Sequence, residues 1–126
     1  MTLRTIHGAL AWAVVAAIVV QVWLAGTAIP QLGGNGSFAT HRDVGYAIGL
    51  LILVLLIVAV AARAGRRRIG QGAGLLVLYV IQSSLPYMDP GLPAAAALHP
   101  VNALVMFWLA IWYARAVWSE RTLVTA

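Results

Sequence analysis

Residues 44–62 read VGYAIGLLILVLLIVAVAA, a stretch that contains no charged side chain. Nineteen residues of α-helix span about 28 Å, close to the roughly 30 Å hydrocarbon core of a bilayer. The stretch does not alternate between polar and apolar residues, as a strand of a transmembrane β-barrel does. It therefore predicts a helix that crosses a membrane.

Three further apolar stretches of similar length flank this one. Together the four predict helices over about residues 9–29, 42–62, 70–88 and 98–118. Pro30, the arginine-rich segment 63–69 and Asp89-Pro90 separate them, and the alanine run at 94–97 predicts a short helix before the fourth. The sequence thus predicts an all-α, integral membrane four-helix bundle with up-down-up-down order, forming a single domain over residues 1–126.

The composition narrows the class of protein. Of the 126 residues, 63% are hydrophobic and only 9% are charged, whereas soluble domains carry roughly 25% charged residues. A soluble globular enzyme of this size is excluded because it needs more polar surface. The net charge of +5 comes without a basic stripe interleaved with aromatic residues, so we expect the lipid bilayer and no nucleic acid as a partner. The absence of cysteine excludes thiolate-bound zinc, cysteine-held iron–sulfur clusters and c-type haem attachment.

The positions of the eight arginines predict the orientation in the membrane. Cytoplasmic loops are enriched in basic residues, and only Arg42 lies in one of the other two loops. Both termini and the 63–69 loop are therefore expected in the cytoplasm, which predicts a multi-pass protein of the cytoplasmic (inner) membrane. The arginines on the cytoplasmic side are Arg4, Arg63, Arg66, Arg67, Arg68, Arg115 and Arg121.

Two of the three histidines occupy equivalent places, since His41 begins the second predicted helix and His99 begins the fourth. These helices run in the same direction, so the two imidazoles are expected at one depth, near the outer face. Ionisable residues beside membrane helices are costly and are therefore candidates for function. Two imidazoles in a four-helix bundle can bind a metal from opposite sides, as in a haem with two axial histidines. The sequence predicts His41 and His99 as the metal ligands of haem b (iron protoporphyrin).

Small residues follow both histidines on the same helix face. Gly45 and Gly49 lie four and eight residues after the first histidine, and Ala103 lies four residues after the second and is followed by Met106. These positions are expected to leave room for a porphyrin between the helices. Arg42 is placed to pair with a haem propionate at the membrane surface. These five residues complete the predicted cofactor site, and no catalytic residue is predicted.

Alternatives stay open for several of these residues. A G-x-x-x-G spacing usually serves close helix packing, and a single interfacial histidine usually caps a helix or lies at the lipid surface. Zinc is disfavoured because no third or fourth ligand is apparent at that depth. His7 is expected at the opposite membrane face as an interfacial polar residue. Gln21 and Gln82 are expected to link helices through their amides, with contact to a substrate or quinone as the alternative.

The motifs THRDVG, residues 40–45, and LHPVN, residues 98–102, resemble those of the DUF6220 type of small four-helix membrane protein. The histidine pair on the second and fourth helices also resembles one half of a haem A synthase, a family with two such halves. That resemblance implies that His41 and His99 bind haem. Residues 36–40 lack the glutamate of haem A synthases, the outer-loop cysteine pair is absent and only one half is present. The resemblance therefore implies haem binding rather than haem A synthesis by this chain alone.

The predicted function is electron transfer or redox relay, because two axial imidazoles leave haem iron without a vacant position. A quinone or a redox protein is the expected electron partner, and a homodimer that mimics the two-half enzyme stays open. The alternatives are a small transporter or channel and a structural subunit of a larger membrane complex. The first predicted helix lacks the acidic residue of small multidrug exporters, and the third lacks the phenylalanines of fluoride channels.

Overall fold

The computed structural model describes residues 2–88 and 92–122. Within them the chain forms four long helices, which are α1 (Leu3–Ala28), α2 (Ala39–Ala61), α3 (Gly65–Ser84) and α5 (Leu98–Thr122). The four-residue helix α4 (Pro93–Ala96) precedes α5, and short 3-10 turns follow α1 at Pro30–Leu32 and α3 at Leu85–Tyr87. The predicted all-α, four-helix architecture is confirmed, as is the short helix before the fourth long one.

Each long helix is long and apolar enough to cross a membrane. The four candidate spans are Leu3–Ala28, Ala39–Ala61, Gly65–Tyr87 and Ala94–Glu120. Large apolar side chains also cover the outside of the bundle, where Leu50, Leu104 and Trp108 are about two-thirds exposed. Surface of this kind is stable against lipid rather than water. The chain is therefore a multi-pass membrane protein.

Three helices begin earlier than the apolar stretches predict, and for α2 the difference is small, Ala39 rather than residue 42. α1 begins at Leu3 rather than near residue 9, because the side chain of Thr2 accepts a hydrogen bond from the amide of Thr5 and caps the helix. α3 begins at Gly65 rather than near residue 70, so three consecutive arginines belong to its first turns. The helical backbone thus continues beyond the apolar residues that a hydropathy pattern detects. α3 also ends earlier than predicted, at Ser84 rather than near residue 88, and the 3-10 turn Leu85–Tyr87, which contains Pro86, follows it. Asp89-Pro90 lies outside the described residues.

The turn between α2 and α3 is tight. After α2 ends, Arg63 and Gly65 adopt positive φ angles of 52° and 82°, and the amide of Ala64 donates a hydrogen bond to the carbonyl of Ala59. Left-handed residues close the end of a helix in this way and let the chain reverse within a few residues. The two helices are therefore antiparallel neighbours.

The four long helices form a square. α1 packs against α2 and α5, and α3 packs against the same two helices. α2 and α5 therefore lie on one diagonal of the square and α1 and α3 on the other. We call the end that holds the α1–α2 and α3–α5 connections the histidine end. The opposite end, with the start of α1, the α2–α3 turn and the end of α5, is the arginine end.

Branched aliphatic side chains fill the middle of the bundle. All four helices contribute, and side chains such as Val14, Ile52, Leu55 and Leu75 are fully buried. The buried polar side chains His7 and Arg68 lie at the arginine end of this core, and the half-buried His41 and His99 lie at its histidine end. The apolar middle therefore separates two polar sites.

Candidate functional site

His41 and His99 meet at the histidine end, as the sequence predicts. His41 lies in the first turn of α2 and His99 in the first turn of α5. Although these helices are diagonal partners, the centroids of the two imidazole rings lie only 6.1 Å apart, with the ring planes at 65°. Both side chains are half-buried. The bundle therefore brings the two imidazoles together across its centre.

Each imidazole is held by a backbone carbonyl of the neighbouring helix. Nδ1 of His41 is 3.1 Å from the carbonyl oxygen of Gln21 on α1, and Nδ1 of His99 is 3.0 Å from the carbonyl oxygen of Gln82 on α3. A carbonyl oxygen can only accept, so Nδ1 carries the proton in both rings. Metal-binding histidines are commonly oriented by such a bond, which leaves Nε2 for the metal.

The glutamine side chains make different contacts in the two halves. The amide of Gln21 donates to the backbone carbonyl of His41 at 2.8 Å. The amide nitrogen of Gln82 instead lies 3.1 Å from Nε2 of the His99 ring. Both amides link helices, which confirms the interpretation preferred from the sequence.

Asn102 fixes the orientation of the Gln82 amide. Its Nδ2 donates to Oε1 of Gln82 at 2.8 Å and to the carbonyl oxygen of Leu78 at 3.0 Å. The nitrogen of the Gln82 amide must then face His99, where it donates to the unprotonated Nε2. Three polar side chains on α3 and α5 thus form one continuous network.

The small residues beside His41 lie against two larger side chains. A Cβ added at Gly45 would lie 2.8 Å from Nε2 of Gln21, and a Cβ added at Gly49 would overlap the ring of Tyr79. Both glycines therefore permit close approach of a side chain from an adjacent helix. A porphyrin beside α2 would require Gln21 and Tyr79 to turn aside.

The other predicted cofactor-binding residues occupy three environments. Ala103 is half-buried on α5, and Met106 is 3% exposed and belongs to the core. Arg42 is exposed at the histidine end, where its Nε lies 3.7 Å from Oδ1 of Asp43. The guanidinium is therefore accessible at the surface, and its pairing with a propionate stays a prediction.

The ring centroids of the histidine pair can be compared with those of two imidazoles bound to one metal ion. Metal–imidazole bonds of about 2.0–2.1 Å place two imidazole centres on opposite sides of one metal ion about 6 Å apart. The observed separation is 6.1 Å. Among the described residues, no group of three or more histidine, cysteine or acidic side chains could hold a metal ion. The centroid separation agrees with two imidazoles on one metal ion, but Nε2 of His99 faces the Gln82 amide, so this ring would have to turn away from Gln82 to bind one.

A cavity of about 370 Å³ opens beside His41 at the histidine end. Its walls come from the end of α1, the α1–α2 connection and the start of α2, and they include the polar residues Thr27, Asn35, Ser37 and Thr40. Pockets for small molecules have volumes in this range. The cavity lies on the His41 side of the pair.

His7 lies at the arginine end, far from the other two histidines, as predicted. Its surroundings differ from the prediction of an interfacial position, because only 2% of its surface is exposed. Nε2 of His7 shares a hydrogen bond with the hydroxyl of Tyr113, which is fully buried on α5. This partner is what permits the burial of a polar ring.

An ion pair lies beside this histidine. Arg68 is 8% exposed and donates from Nε to both carboxylate oxygens of Glu120, at 3.0 and 3.2 Å. Its Nη1 also donates to Oε1 of Gln71 at 2.7 Å. We call these two residues with Gln71, His7 and Tyr113 the His7 cluster. It ties α1, α3 and α5 together at the arginine end.

The sequence interpretation missed Tyr79, Tyr113 and Glu120. Glu120 is the only glutamate in the chain and comes at the same end as the arginine-rich segment, a signal that could have indicated the ion pair. No comparable signal marks the tyrosines, because their contacts depend on how the helices rotate against one another.

The fold and the histidine pair define a class, that of multi-pass four-helix membrane proteins with paired histidines at one end. Within this class, residues 21–87 match the model of a family of unknown function, DUF6220. The match covers more than half of the chain, which therefore belongs to this family. No curated protein and no solved structure matches the chain significantly. The resemblance to a haem A synthase half stays a prediction.

Proposed function

We propose that this protein binds one b-type haem between His41 and His99 and transfers electrons at the outer face of the cytoplasmic membrane. The observation that carries the proposal is the histidine pair, with its centroids 6.1 Å apart and both Nδ1 atoms held by backbone carbonyls. Such bonds raise the basicity of the ligand and fix its ring. Haem, when bound, supplies one-electron redox chemistry.

The residues of the chain hold and shield the group. His41 and His99 would hold the haem iron, and the carbonyls of Gln21 and Gln82 keep each ring in its orientation. Met106 and the apolar core beyond it limit the approach of water from the middle of the bundle. Two imidazole ligands would leave the haem iron without a vacant position, which favours electron transfer over oxygen activation.

The orientation and the electron partner are part of the same proposal. The arginine end contains most of the basic residues, which supports a cytoplasmic position for it and for both termini. The histidine end then faces outward. The cavity beside His41 would admit the headgroup of a quinone, and a redox protein would dock on the same outer surface. A second copy of the chain would supply the other half of a two-half arrangement.

The test is the haem content and spectrum of the detergent-purified protein, expressed with ample haem. We expect one haem per chain, a Soret band and sharp α and β bands after reduction, in a monomer as well as in larger assemblies. A colourless protein would contradict the proposal. Colourless protein that co-purifies with a larger complex would support a structural subunit, and solute flux through vesicles would support a transporter or channel.

A further inference from the structure

A basic and aromatic surface lies at the arginine end, where α3 and α5 pack side by side. Cζ of Arg67, in the first turn of α3, is 5.3 Å from the centroid of the Trp112 ring on α5. Trp112 stacks on Trp108, and the centroids of these two exposed rings are 5.8 Å apart. Arg115 is exposed one turn further along the same face of α5. We call these four residues the arginine–tryptophan face.

Both guanidinium groups of this face are open to an external anion. In the part of the chain that the structure describes, the ion pairs are Arg42–Asp43 at the histidine end and Arg68–Glu120 at the arginine end. Neither includes an arginine of the arginine–tryptophan face. The whole sequence contains only three acidic residues, so the chain offers few counter-ions for its eight arginines. A charge beside the hydrocarbon region is costly without a partner, and an anionic headgroup in the bilayer can supply one.

The order of charged and aromatic residues along the helices matches the layers of a lipid leaflet. Arg67 lies near the start of one membrane span, and Arg115 lies near the end of another that runs the opposite way. Trp108 precedes Arg115 by seven residues, which places it about 10 Å deeper along the helix axis. One turn below Arg67, a Cβ added at Gly70 would meet nothing within 4 Å. Positive charge therefore lies above an aromatic strip, with open space on α3 beneath Arg67.

We infer that the arginine–tryptophan face binds one anionic phospholipid, whose phosphate contacts the guanidinium groups of Arg67 and Arg115. One acyl chain then lies along Trp108 and Trp112. Guanidinium groups bind phosphate oxygens through paired N–H donors, and basic surfaces between transmembrane helices suit anionic headgroups. The contact with the Trp112 ring restrains the Arg67 guanidinium, so less freedom is lost when the lipid binds. The inference does not depend on haem.

Native mass spectrometry of the whole chain, released from micelles that contain phosphatidylglycerol or phosphatidylcholine, counts the bound lipids and ranks their affinities. We expect one phosphatidylglycerol per chain, bound more tightly than phosphatidylcholine. One arginine near a membrane surface changes the affinity for anionic lipid about fivefold. Arg67→Gln and Arg115→Gln should therefore each weaken phosphatidylglycerol binding by about that factor. Equal affinities of wild type for the two lipids would overturn the inference.

Arg66→Gln is the matched control, because it removes the same charge from the neighbouring residue. Position 66 lies about 100° around α3 from position 67, so this variant should keep nearly all of the affinity of wild type. Arg67→Lys keeps the charge but lacks the paired donors, and it should lie between wild type and Arg67→Gln. Equal losses in Arg66→Gln and Arg67→Gln would show a diffuse attraction to charge and would overturn the inference.

Tryptophan fluorescence in reconstituted bilayers tests the acyl-chain contact. Brominated phosphatidylglycerol, diluted in phosphatidylcholine, should quench the fluorescence more than brominated phosphatidylcholine diluted in phosphatidylglycerol to the same fraction. This difference should shrink in Arg67→Gln and persist in Arg66→Gln, and its absence in wild type would overturn the inference. A lipid-free dimer that Arg67→Gln dissociates would show that a second copy of the chain occupies the face instead. Selective phosphatidylglycerol binding by a colourless protein would support this inference while contradicting the proposed function.

Discussion

Tyr113→Phe removes one buried hydroxyl and leaves the volume of the side chain almost unchanged. The ring is fully buried and its hydroxyl is the hydrogen-bond partner of His7 Nε2, which water cannot reach because His7 is 2% exposed. Losing the partner of a buried polar group costs about 1–3 kcal/mol. We therefore expect Tyr113→Phe to lower the free energy of unfolding by about that amount.

A double-mutant cycle separates the hydrogen bond from other effects of the substitution. The second variant is His7→Leu, which removes the polar ring, and the double variant removes both partners and leaves neither without a bond. Replacing both partners by apolar groups is nearly neutral in favourable cases. The double variant should therefore be more stable than the sum of the two single changes predicts, by about 0.5–3 kcal/mol.

Unfolding by sodium dodecyl sulfate in mixed micelles, followed by tryptophan fluorescence, measures all four proteins. Additive changes, or a Tyr113→Phe protein as stable as wild type, would refute the role assigned to this hydrogen bond. The same variants should keep their haem. His7 and Gln21 are fourteen residues apart on α1, which is about 21 Å along the helix axis.

Three further predictions concern the packing at Gly49, the Arg68–Glu120 ion pair and the orientation in the membrane. Gly49→Leu should overlap Tyr79, destabilise the bundle by about 1–3 kcal/mol and reduce the haem content. The control Gly70→Leu has open space at its Cβ and should change neither the stability nor the haem content. Full haem content in Gly49→Leu would indicate that Gly49 serves helix packing alone. Glu120→Gln should lower the free energy of unfolding by about 1–3 kcal/mol, because it leaves the largely buried charge of Arg68 without its counter-ion. Water reaches the carboxylate of Glu120, which weakens the ion pair. An unchanged free energy of unfolding would show that solvent screens the pair. A cysteine introduced into the α1–α2 loop of this cysteine-free chain should react with an impermeant reagent added from outside, while a reporter fused to the C-terminus should lie in the cytoplasm. If a cysteine in the α2–α3 turn reacts from outside instead, the orientation in the membrane is the reverse of the predicted one.

The number of helices and the histidine pair could be predicted because both depend on simple lengths and directions. An apolar run of about twenty residues matches the bilayer core, and alternate helices of an up-down bundle run in the same direction. Residues that begin the second and fourth helices must then lie at one end. His41 and His99 meet for this reason.

The helix starts and the His7 cluster depend on information that the pattern of apolar residues does not contain. α3 includes three arginines because the helical backbone extends past the hydrocarbon core, and hydropathy marks only the core. His7 and Tyr113 are 106 residues apart, and their contact depends on how α5 is rotated about its axis. The rotation of α5 also decides that Gln82 contacts the His99 ring, whereas the contact of Gln21 with the His41 carbonyl depends on how α1 and α2 are rotated.

The central claim is that His41 and His99 together bind one haem, and the spin state of the ligand variants tests it most directly. Electron paramagnetic resonance and absorption spectra of the oxidised protein should show a low-spin haem in wild type and in His7→Ala. His41→Ala and His99→Ala should each be high-spin or free of haem, because one axial imidazole is lost. A low-spin spectrum that survives either His41→Ala or His99→Ala, or that disappears in His7→Ala alone, would contradict the account.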